Sequence, residues 1–194
     1  MTLNNHIILP ENYNSLLEAT REAGFGMPSD IDTGALLRTL TASKPGGNFL
    51  EIGTGTGLAT LWLSAATGKD GALTSIDDNL VTTAIANKYV QNQAVSVITA
   101  DGYEWISNYS GAKFDLIFAD AMPGKYDLFE ETIALLNDGG FYIIDDMLPQ
   151  PNWPEGHAAR VAAFIERLDA RTDLVLAKLN WSTGIIIATK QSLN

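Results

Sequence analysis

Apolar residues in this chain form short continuous runs that alternate with longer amphipathic stretches. Runs of four to six residues bounded by Gly, Asp and Lys are typical of buried parallel strands. They predict five strands, at residues 48–52, 72–76, 95–99, 114–119 and 141–144. The stretches between and after them predict helices over residues 57–67, 79–91, 126–136 and 156–170, and a short helix that holds Trp105 and Ile106.

The two ends of the chain depart from this alternation. Near the start, helical spacing predicts a helix within residues 10–24 and another that begins at Ser29 or Asp30 and ends before Pro45. Near the end, residues 174–179 and 184–189 predict a β-hairpin. Together the elements predict an α/β sandwich with a mostly parallel sheet. We expect one domain over residues 1–194, with a helical arm at 1–45 and a core at 46–194.

Composition narrows the possible functions. The 194 residues are 46% hydrophobic, with no cysteine and a net charge of −11. No disulfide, thiolate metal site or cysteine nucleophile is therefore possible, and a broad nucleic-acid surface is disfavoured. The first residues have no basic segment before their short apolar run, and no run is long enough to span a membrane. We expect a cytoplasmic protein with a small-molecule substrate, no bulk nucleic-acid partner and no membrane partner.

The segment after the first strand is the strongest motif of the chain. Glu51 is followed by Gly53, Gly55 and Gly57 at alternate positions, and a helix follows. A dinucleotide fingerprint needs G-x-G-x-x-G, and neither frame fits because Leu58 or Thr60 stands at the third glycine. An acid before the glycines would repel a pyrophosphate and attract an amine. This suits the methionyl end of S-adenosylmethionine, whose carboxylate would meet N–H groups of the turn.

Every predicted parallel strand ends in an acidic residue, and ligands of open α/β sheets bind at this edge. Asp77 follows the glycine turn by about twenty residues, where a carboxylate can bind ribose hydroxyls. Asp78 is the competing residue. Asp101 lies where an adenine ring is expected, and either its carboxylate or the main chain of Gly102 and Tyr103 would contact the ring.

A second group of acids follows the fourth and fifth strands. Asp120 ends one strand, and Asp145 and Asp146 end the next. Neighbouring strands lie about 4.8 Å apart, so these carboxylates should be close together. Crowded carboxylates either raise a pKa or bind a cation. Oxygen ligands favour Mg²⁺, Ca²⁺ or Mn²⁺, whereas a helix or loop cap is the alternative role for one of the pair.

These motifs resemble a known family. The glycine segment resembles motif I of the class I S-adenosylmethionine-dependent methyltransferases. The segments 114–121, 135–140 and 145–146, with Tyr126, resemble the cation-dependent O-methyltransferases of the catechol and caffeoyl-CoA type. The resemblance implies a Rossmann-like fold whose seven-stranded sheet has the order 3-2-1-4-5-7-6. It implies a divalent cation, Mg²⁺ or Ca²⁺, on Asp120, Asp145 and Asp146. It also implies methylation of a small catechol-like hydroxyl, and relatives of this kind are often homodimers.

The resemblance and the residue patterns together give the predicted site. Its cofactor-binding residues are Glu51, Gly53, Thr54, Gly55, Gly57, Asp77, Asp78, Asp101, Gly102, Tyr103 and Asp120. Its predicted catalytic residues are Asp120, Lys125 and His157. Trp153, Met147, Pro149, Pro151 and Trp181 are candidates for the wall around an aromatic acceptor.

Two departures from the family pattern leave alternatives open. Asp146 stands where the family usually has asparagine, which would tighten the ion or mean that none binds. Pro123 stands where the family commonly has a lysine as general base, and Lys125 follows two residues later. Lys125 either reaches the same place by another path or is a surface lysine. His157 is the other candidate base, because its unperturbed pKa is near neutrality.

Three other classes of protein are compatible with parts of this pattern. The nearest is a metal-independent methyltransferase that acts on a nitrogen, a protein or another acceptor. The others are a nicotinamide-dependent reductase and a non-catalytic cofactor-binding module.

Overall fold

The fold is built around one seven-stranded sheet. A computed structural model of the chain describes residues 7–192. The strand order is β3-β2-β1-β4-β5-β7-β6, as the resemblance implied. The first five strands are parallel, and β7 runs antiparallel to both β5 and β6. The strands are β1 (Asn48–Ile52), β2 (Ala72–Asp77), β3 (Val95–Thr99), β4 (Phe114–Ala119), β5 (Leu136–Ile144), β6 (Leu174–Leu179) and β7 (Ile185–Lys190).

Helices pack against the sheet and connect its strands. They are α1 (Tyr13–Glu22), α2 (Ile31–Ala42), α3 (Leu58–Ser64), α4 (Leu80–Tyr89), α5 (Gly102–Asn108), α6 (Phe129–Ala134) and α7 (His157–Asp169). The central strands β1 and β4 are apolar on both faces, and Leu50, Ile117 and Phe118 are fully buried. Such strands are typical of a parallel sheet covered by helices on both sides. Within residues 7–192, no helix is long and apolar enough to cross a membrane.

The two N-terminal helices pack against α3. A Cβ atom on Gly34 of α2 would lie 2.2 Å from the Trp62 ring, so this glycine allows the two helices to approach closely. The Tyr13 ring of α1 also packs against Trp62 in an edge-on arrangement, with 5.7 Å between ring centroids. This packing brings the loop between α1 and α2 to the carboxyl edge of the sheet, beside the glycine turn.

The largest difference from the sequence prediction is in β5. The prediction started this strand at residue 141 and extended the preceding helix to 136, but β5 begins at Leu136 and α6 covers only Phe129–Ala134. Leu136 pairs with Phe114, and the register then shifts before Leu116 pairs with Phe141. Gly139, with φ of +73°, lies within this irregular segment. A bulge places extra residues in the strand, and its glycines resembled a helix stop in the sequence.

Candidate active site

A cavity of about 740 Å³ opens at the carboxyl edge of the sheet. Its wall includes the ends of β1, β2, β4 and β5, the start of α7, and the loop at residues 25–30. This edge is where open α/β sheets bind their ligands. Sequence patterns predicted the strand ends, but they gave no signal for the contribution of the loop between α1 and α2.

The glycine turn forms one wall of the cavity. Gly53, Gly55 and Gly57 have φ values of +104°, +50° and +94°, a region that side chains rarely adopt. Cβ atoms on Gly53 and Gly55 would lie 2.7 Å from the Asp120 carbonyl oxygen and 2.8 Å from the Phe25 ring. Gly57 does not line the cavity, because it packs against Ala86 of α4. Gly57 thus has a packing role in this structure, and its predicted cofactor contact stays a prediction.

The main-chain amides of this turn bond within the protein. Gly53 and Thr54 both donate to the Ile76 carbonyl, at 2.9 and 3.1 Å. Gly55 donates to Asp77 Oδ2 at 2.8 Å. These three amides are therefore already bonded, and the contact of the other amides of the turn with a ligand carboxylate stays a prediction. What the turn offers to a ligand is bare main-chain surface that allows close approach.

Asp77 and Asp78 both line the cavity but differ in environment. Asp77 Oδ1 accepts a hydrogen bond from the Asn79 amide at 3.0 Å, and its Oδ2 holds the Gly55 amide. Asp78 is exposed. Since each carboxylate oxygen can accept more than one hydrogen bond, Asp77 keeps capacity for ligand hydroxyls while it holds the glycine turn in place.

The segment after β3 combines a helix cap with a cavity wall. Asp101 Oδ1 accepts hydrogen bonds from the amides of Tyr103 and Glu104, at 2.7 and 3.0 Å, and so caps α5. The Tyr103 hydroxyl donates to Asp127 Oδ2 at 3.0 Å. Asp101, Gly102 and Tyr103 all line the cavity, and their contact with an adenine ring stays a prediction.

Glu51 lies beneath the glycine turn and not on the cavity wall. Its side chain is fully buried, and its Oε2 accepts hydrogen bonds from the Thr60 and Ser75 hydroxyls. Burial raises the pKa of Glu51 to about 7, against the lowering effect of these two bonds, and the nearby Asp77 raises it further. Glu51 therefore lies off the cavity wall and joins α3 to β2, and its predicted direct contact with a cofactor stays a prediction that this position does not support.

The structure brings Asp120, Asp145 and Asp146 together on the wall of the same cavity. Burial raises the pKa of Asp120 well above its usual value, with further contributions from Asp145 and Asp146. Burial also raises the pKa of Asp145. Asp146 has φ of +57°, which sharply turns the chain where β5 has ended. The predicted crowding of carboxylates is therefore present.

The donor set does not match a metal site. Asp145 Oδ1 already accepts hydrogen bonds from the Asp146 amide, at 2.7 Å, and from the Thr183 hydroxyl. Among residues 7–192, no three His, Cys, Asp or Glu side chains converge as metal ligands. Thr183 lies in the loop before β7, and no sequence pattern indicated that it would contact Asp145.

Lys125 is the least expected member of the site. It lines the cavity with 4% of its surface exposed, so the interpretation as a surface lysine is wrong. Its positive charge lowers the pKa values of Asp120 and Asp145. Nevertheless, no carboxylate in the part of the chain that the structure describes lies within 4 Å of its Nζ atom.

His157 begins α7 and faces the same cavity. Its Nε2 atom lies 3.3 Å from the Tyr126 hydroxyl, and its ring centroid lies 4.7 Å from that of Trp153. Partial burial lowers the pKa of His157, and the positive charges of Lys125 and Arg160 lower it further. A neutral imidazole can accept a proton, so the geometry is compatible with a general base.

The aromatic wall is smaller than predicted. Trp153 lines the cavity together with Gln150 and Asn152, whereas Met147, Pro149, Pro151 and Trp181 do not. Met147 is buried in the core instead, and Trp181 is 42% exposed. Tyr126, whose sequence signal was the family pattern alone, supplies the second aromatic ring beside His157.

Comparison with known proteins places the chain in a family. The profile of the O-methyltransferase family matches residues 5–190, and the chain belongs to this family. A protein of Mycobacterium avium named as a candidate O-methyltransferase is 31% identical over 140 residues, which cover 68% of this chain and 63% of that protein. The chain thus matches less than two thirds of the length of that relative.

Solved structures share the fold. The O-methyltransferase from Bacillus cereus in complex with SAH has a TM-score of 0.83 at 22% identity, covering 97% of this chain and 94% of that one. TomG from Streptomyces achromogenes, an O-methyltransferase of tomaymycin synthesis in complex with SAM, has a TM-score of 0.82 at 22% identity, covering 97% and 93%. The sheet order is therefore that of Rossmann-like methyltransferases.

Proposed function

We propose that this protein transfers a methyl group from S-adenosylmethionine to a hydroxyl group of a small acceptor. The observation that carries the proposal is one continuous cavity whose wall carries the glycine turn and Asp77 together with Lys125, His157 and Trp153. Family membership supports the reaction class. The SAM-bound neighbour TomG supports the choice of cofactor.

The cofactor would lie along the glycine turn. Gly53, Thr54 and Gly55 offer the surface for its methionyl part, and Asp77 offers carboxylate oxygens to the ribose hydroxyls. Asp101, Gly102 and Tyr103 lie farther along the wall, at the place for adenine. A Cβ atom on Gly53 would lie 2.7 Å from the Asp120 carbonyl oxygen, so the methyl group of a cofactor held along this turn would lie near Asp120.

Methyl transfer is a displacement at the methyl carbon. An electron pair of the acceptor oxygen forms the new O–CH₃ bond, while the S–CH₃ bond breaks and its pair stays on sulfur. The hydroxyl proton must go to a base, for which His157 and Lys125 are the candidates on the cavity wall. Holding the two reactants in line supplies much of the rate enhancement in such reactions.

Charge favours a small phenol without anionic groups as the acceptor. Lys125 is the only Lys or Arg on the described cavity wall, which also carries Asp30 and the strand-end carboxylates. A CoA ester carries phosphate groups, and phosphates are bound by Arg and Lys clusters. We infer a neutral or cationic catechol-like acceptor, stacked near Trp153 and His157.

The divalent cation remains a prediction from the sequence. When bound to Asp120, Asp145 and Asp146, such an ion would act as a Lewis acid toward the acceptor oxygen. The described carboxylates do not form a ligand set for it, and no step of the mechanism is assigned to an ion. The homodimer, the cytoplasmic location and the single domain over residues 1–194 also stay predictions.

Calorimetric titration with S-adenosylhomocysteine, followed by transfer of labelled methyl groups to a panel of phenols and amines, tests the proposal. We expect saturable binding of the cofactor product and label on catechol-like hydroxyls. Binding of NAD in place of S-adenosylhomocysteine would instead favour the reductase interpretation. Label found only on amines would keep the cofactor and refute O-methylation.

A further inference from the structure

The loop after β4 holds a lysine inside the cavity. Gly124 has φ of +79°, and its amide donates to the Asp127 carbonyl at 2.7 Å. A Cβ atom on Gly124 would lie 2.6 Å from Ile52 Cδ1, so the loop passes directly against β1. The tight path leaves Lys125 buried, with its Nζ atom 5.4 Å from the Tyr126 ring centroid.

A buried ammonium group needs nearby negative charge, because burial without compensation costs several kcal/mol. Lys125 lines the same cavity as Asp120, Asp145 and Asp146, and its charge acts on the first two. Since no carboxylate in the described chain lies within 4 Å of Nζ, the ammonium is not neutralised by a direct ion pair. Its charge therefore remains available to a ligand in the cavity.

The same arrangement opposes a divalent ion. An ion on these three carboxylates would lie near the ammonium, and like charges repel. The orientation of Asp145 is held in addition by two bonds to its Oδ1 atom, from the Asp146 amide and the Thr183 hydroxyl. The described side chains accordingly do not converge on a metal position.

We propose that the Lys125 ammonium, and not a divalent ion, supplies the positive charge beside the acceptor oxygen. This inference rests on the proposed function and makes it specific. The acceptor oxygen attacks the methyl carbon, the S–CH₃ electron pair stays on sulfur, and the hydroxyl proton passes to the imidazole of His157. Lys125 keeps its three protons throughout and stabilises the developing negative charge on oxygen.

Binding of Mn²⁺, followed by electron paramagnetic resonance, tests the inference without any acceptor. Wild-type protein freed of metal by EDTA is expected to show no saturable Mn²⁺ site. Lys125→Met leaves the three carboxylates without the ammonium and should gain such a site, whereas Lys125→Arg should not. Lys88→Met on the exposed face of α4 is the matched control and should behave as wild type.

Two results would overturn the inference. One is a wild-type Mn²⁺ site that Asp145→Asn removes. The other is equal Mn²⁺ behaviour of wild type and Lys125→Met, because the ammonium would then have no influence on the cation. Thermal unfolding and S-adenosylhomocysteine binding show whether each variant is folded, and Lys125→Arg keeps the comparison valid if Lys125→Met is unstable.

Activity provides the second readout. We expect wild-type methyl transfer to survive EDTA, and Lys125→Met to lose about 100-fold or more in kcat with little change in cofactor binding. Loss of wild-type activity in EDTA with recovery in Mg²⁺ would refute the role of Lys125. Absence of methyl transfer to every hydroxylated acceptor would refute the proposed function instead, while the Mn²⁺ comparison would still test the ammonium.

Discussion

The buried carboxyl group of Glu51 lies where its ionised form destabilises the folded protein. Glu51 has no exposed surface, and its Oε1 atom has no hydrogen-bond partner in the described structure. Its two donors, Thr60 and Ser75, both bond to Oε2. An ionised carboxylate without full compensation is costly in such a site, which is why its pKa is raised to about 7.

This pKa shift predicts a pH dependence of stability. The folded pKa lies above the usual value of 4.5, so the folded state binds more protons and stability falls as pH rises from about 4.5 to about 7. The loss should reach about 3 kcal/mol by pH 8. Urea unfolding of wild type and Glu51→Gln at several pH values measures it. Equal pH slopes for the two proteins would show that Glu51 is ionised without cost.

His157 makes a second prediction at this scale. His157→Asn should lower kcat by about 100-fold or more while S-adenosylhomocysteine binds normally, because the base is lost and the cofactor end is untouched. The acid limb of the wild-type rate profile should lie below pH 6.5, because the pKa of His157 is lowered. A profile of kcat against pH for both proteins checks this, and an unchanged acid limb in the variant would assign the limb to another group.

At the scale of elements, the start of α2 connects the arm to the hairpin. Asp30 Oδ1 accepts the Thr33 amide at 2.8 Å and caps the helix, while Oδ2 accepts a hydrogen bond from Ser182 in the loop between β6 and β7. The sequence left Ser29 and Asp30 as equal candidates for this cap. The bond from the Thr33 amide assigns the cap to Asp30, and the contact with Ser182, which is remote in sequence, could not be predicted.

Asp30→Ala should therefore lower the free energy of unfolding by about 1–2 kcal/mol, because it removes the cap and the connection together. Ser29→Ala is the matched control, since it neighbours the cap and should change stability by less than about 0.5 kcal/mol. Chemical denaturation of the two variants gives the comparison. Equal losses would mean that the cap contributes little to the arm.

Local patterns predicted strands better than they predicted contacts. The apolar runs placed the first four strands to within a residue, because buried parallel strands are uniformly apolar. The bulge in β5 was missed, since Gly139 signals a helix stop equally well. In the site, the predicted strand ends correctly indicated that Asp77, Asp120 and Asp145 would lie at the carboxyl edge of the sheet. Burial of Lys125 and the bond from Thr183 depend on loop paths, which no periodicity encodes.

At the scale of the whole molecule, the acidic charge extends into the cavity. The chain carries a net charge of −11, and the described cavity wall has Lys125 as its only Lys or Arg. A field of one sign in a cleft raises the local concentration of oppositely charged ligands and repels those of the same sign. The net charge of the acceptor should then affect the rate of methyl transfer, even among acceptors whose reacting hydroxyl groups are the same.

Three acceptors that share a catechol ring separate these effects: one with an aminomethyl group, one unsubstituted and one with a carboxylate. We expect kcat/KM to fall in that order, by about tenfold or more between the cation and the anion, and the spread to shrink at high salt. Steady-state rates at two ionic strengths measure both trends. Preference for the carboxylate would place the acceptor's own charge, and not its reacting oxygen, against Lys125. The ammonium would then select the substrate while the reacting hydroxyl lay closer to His157.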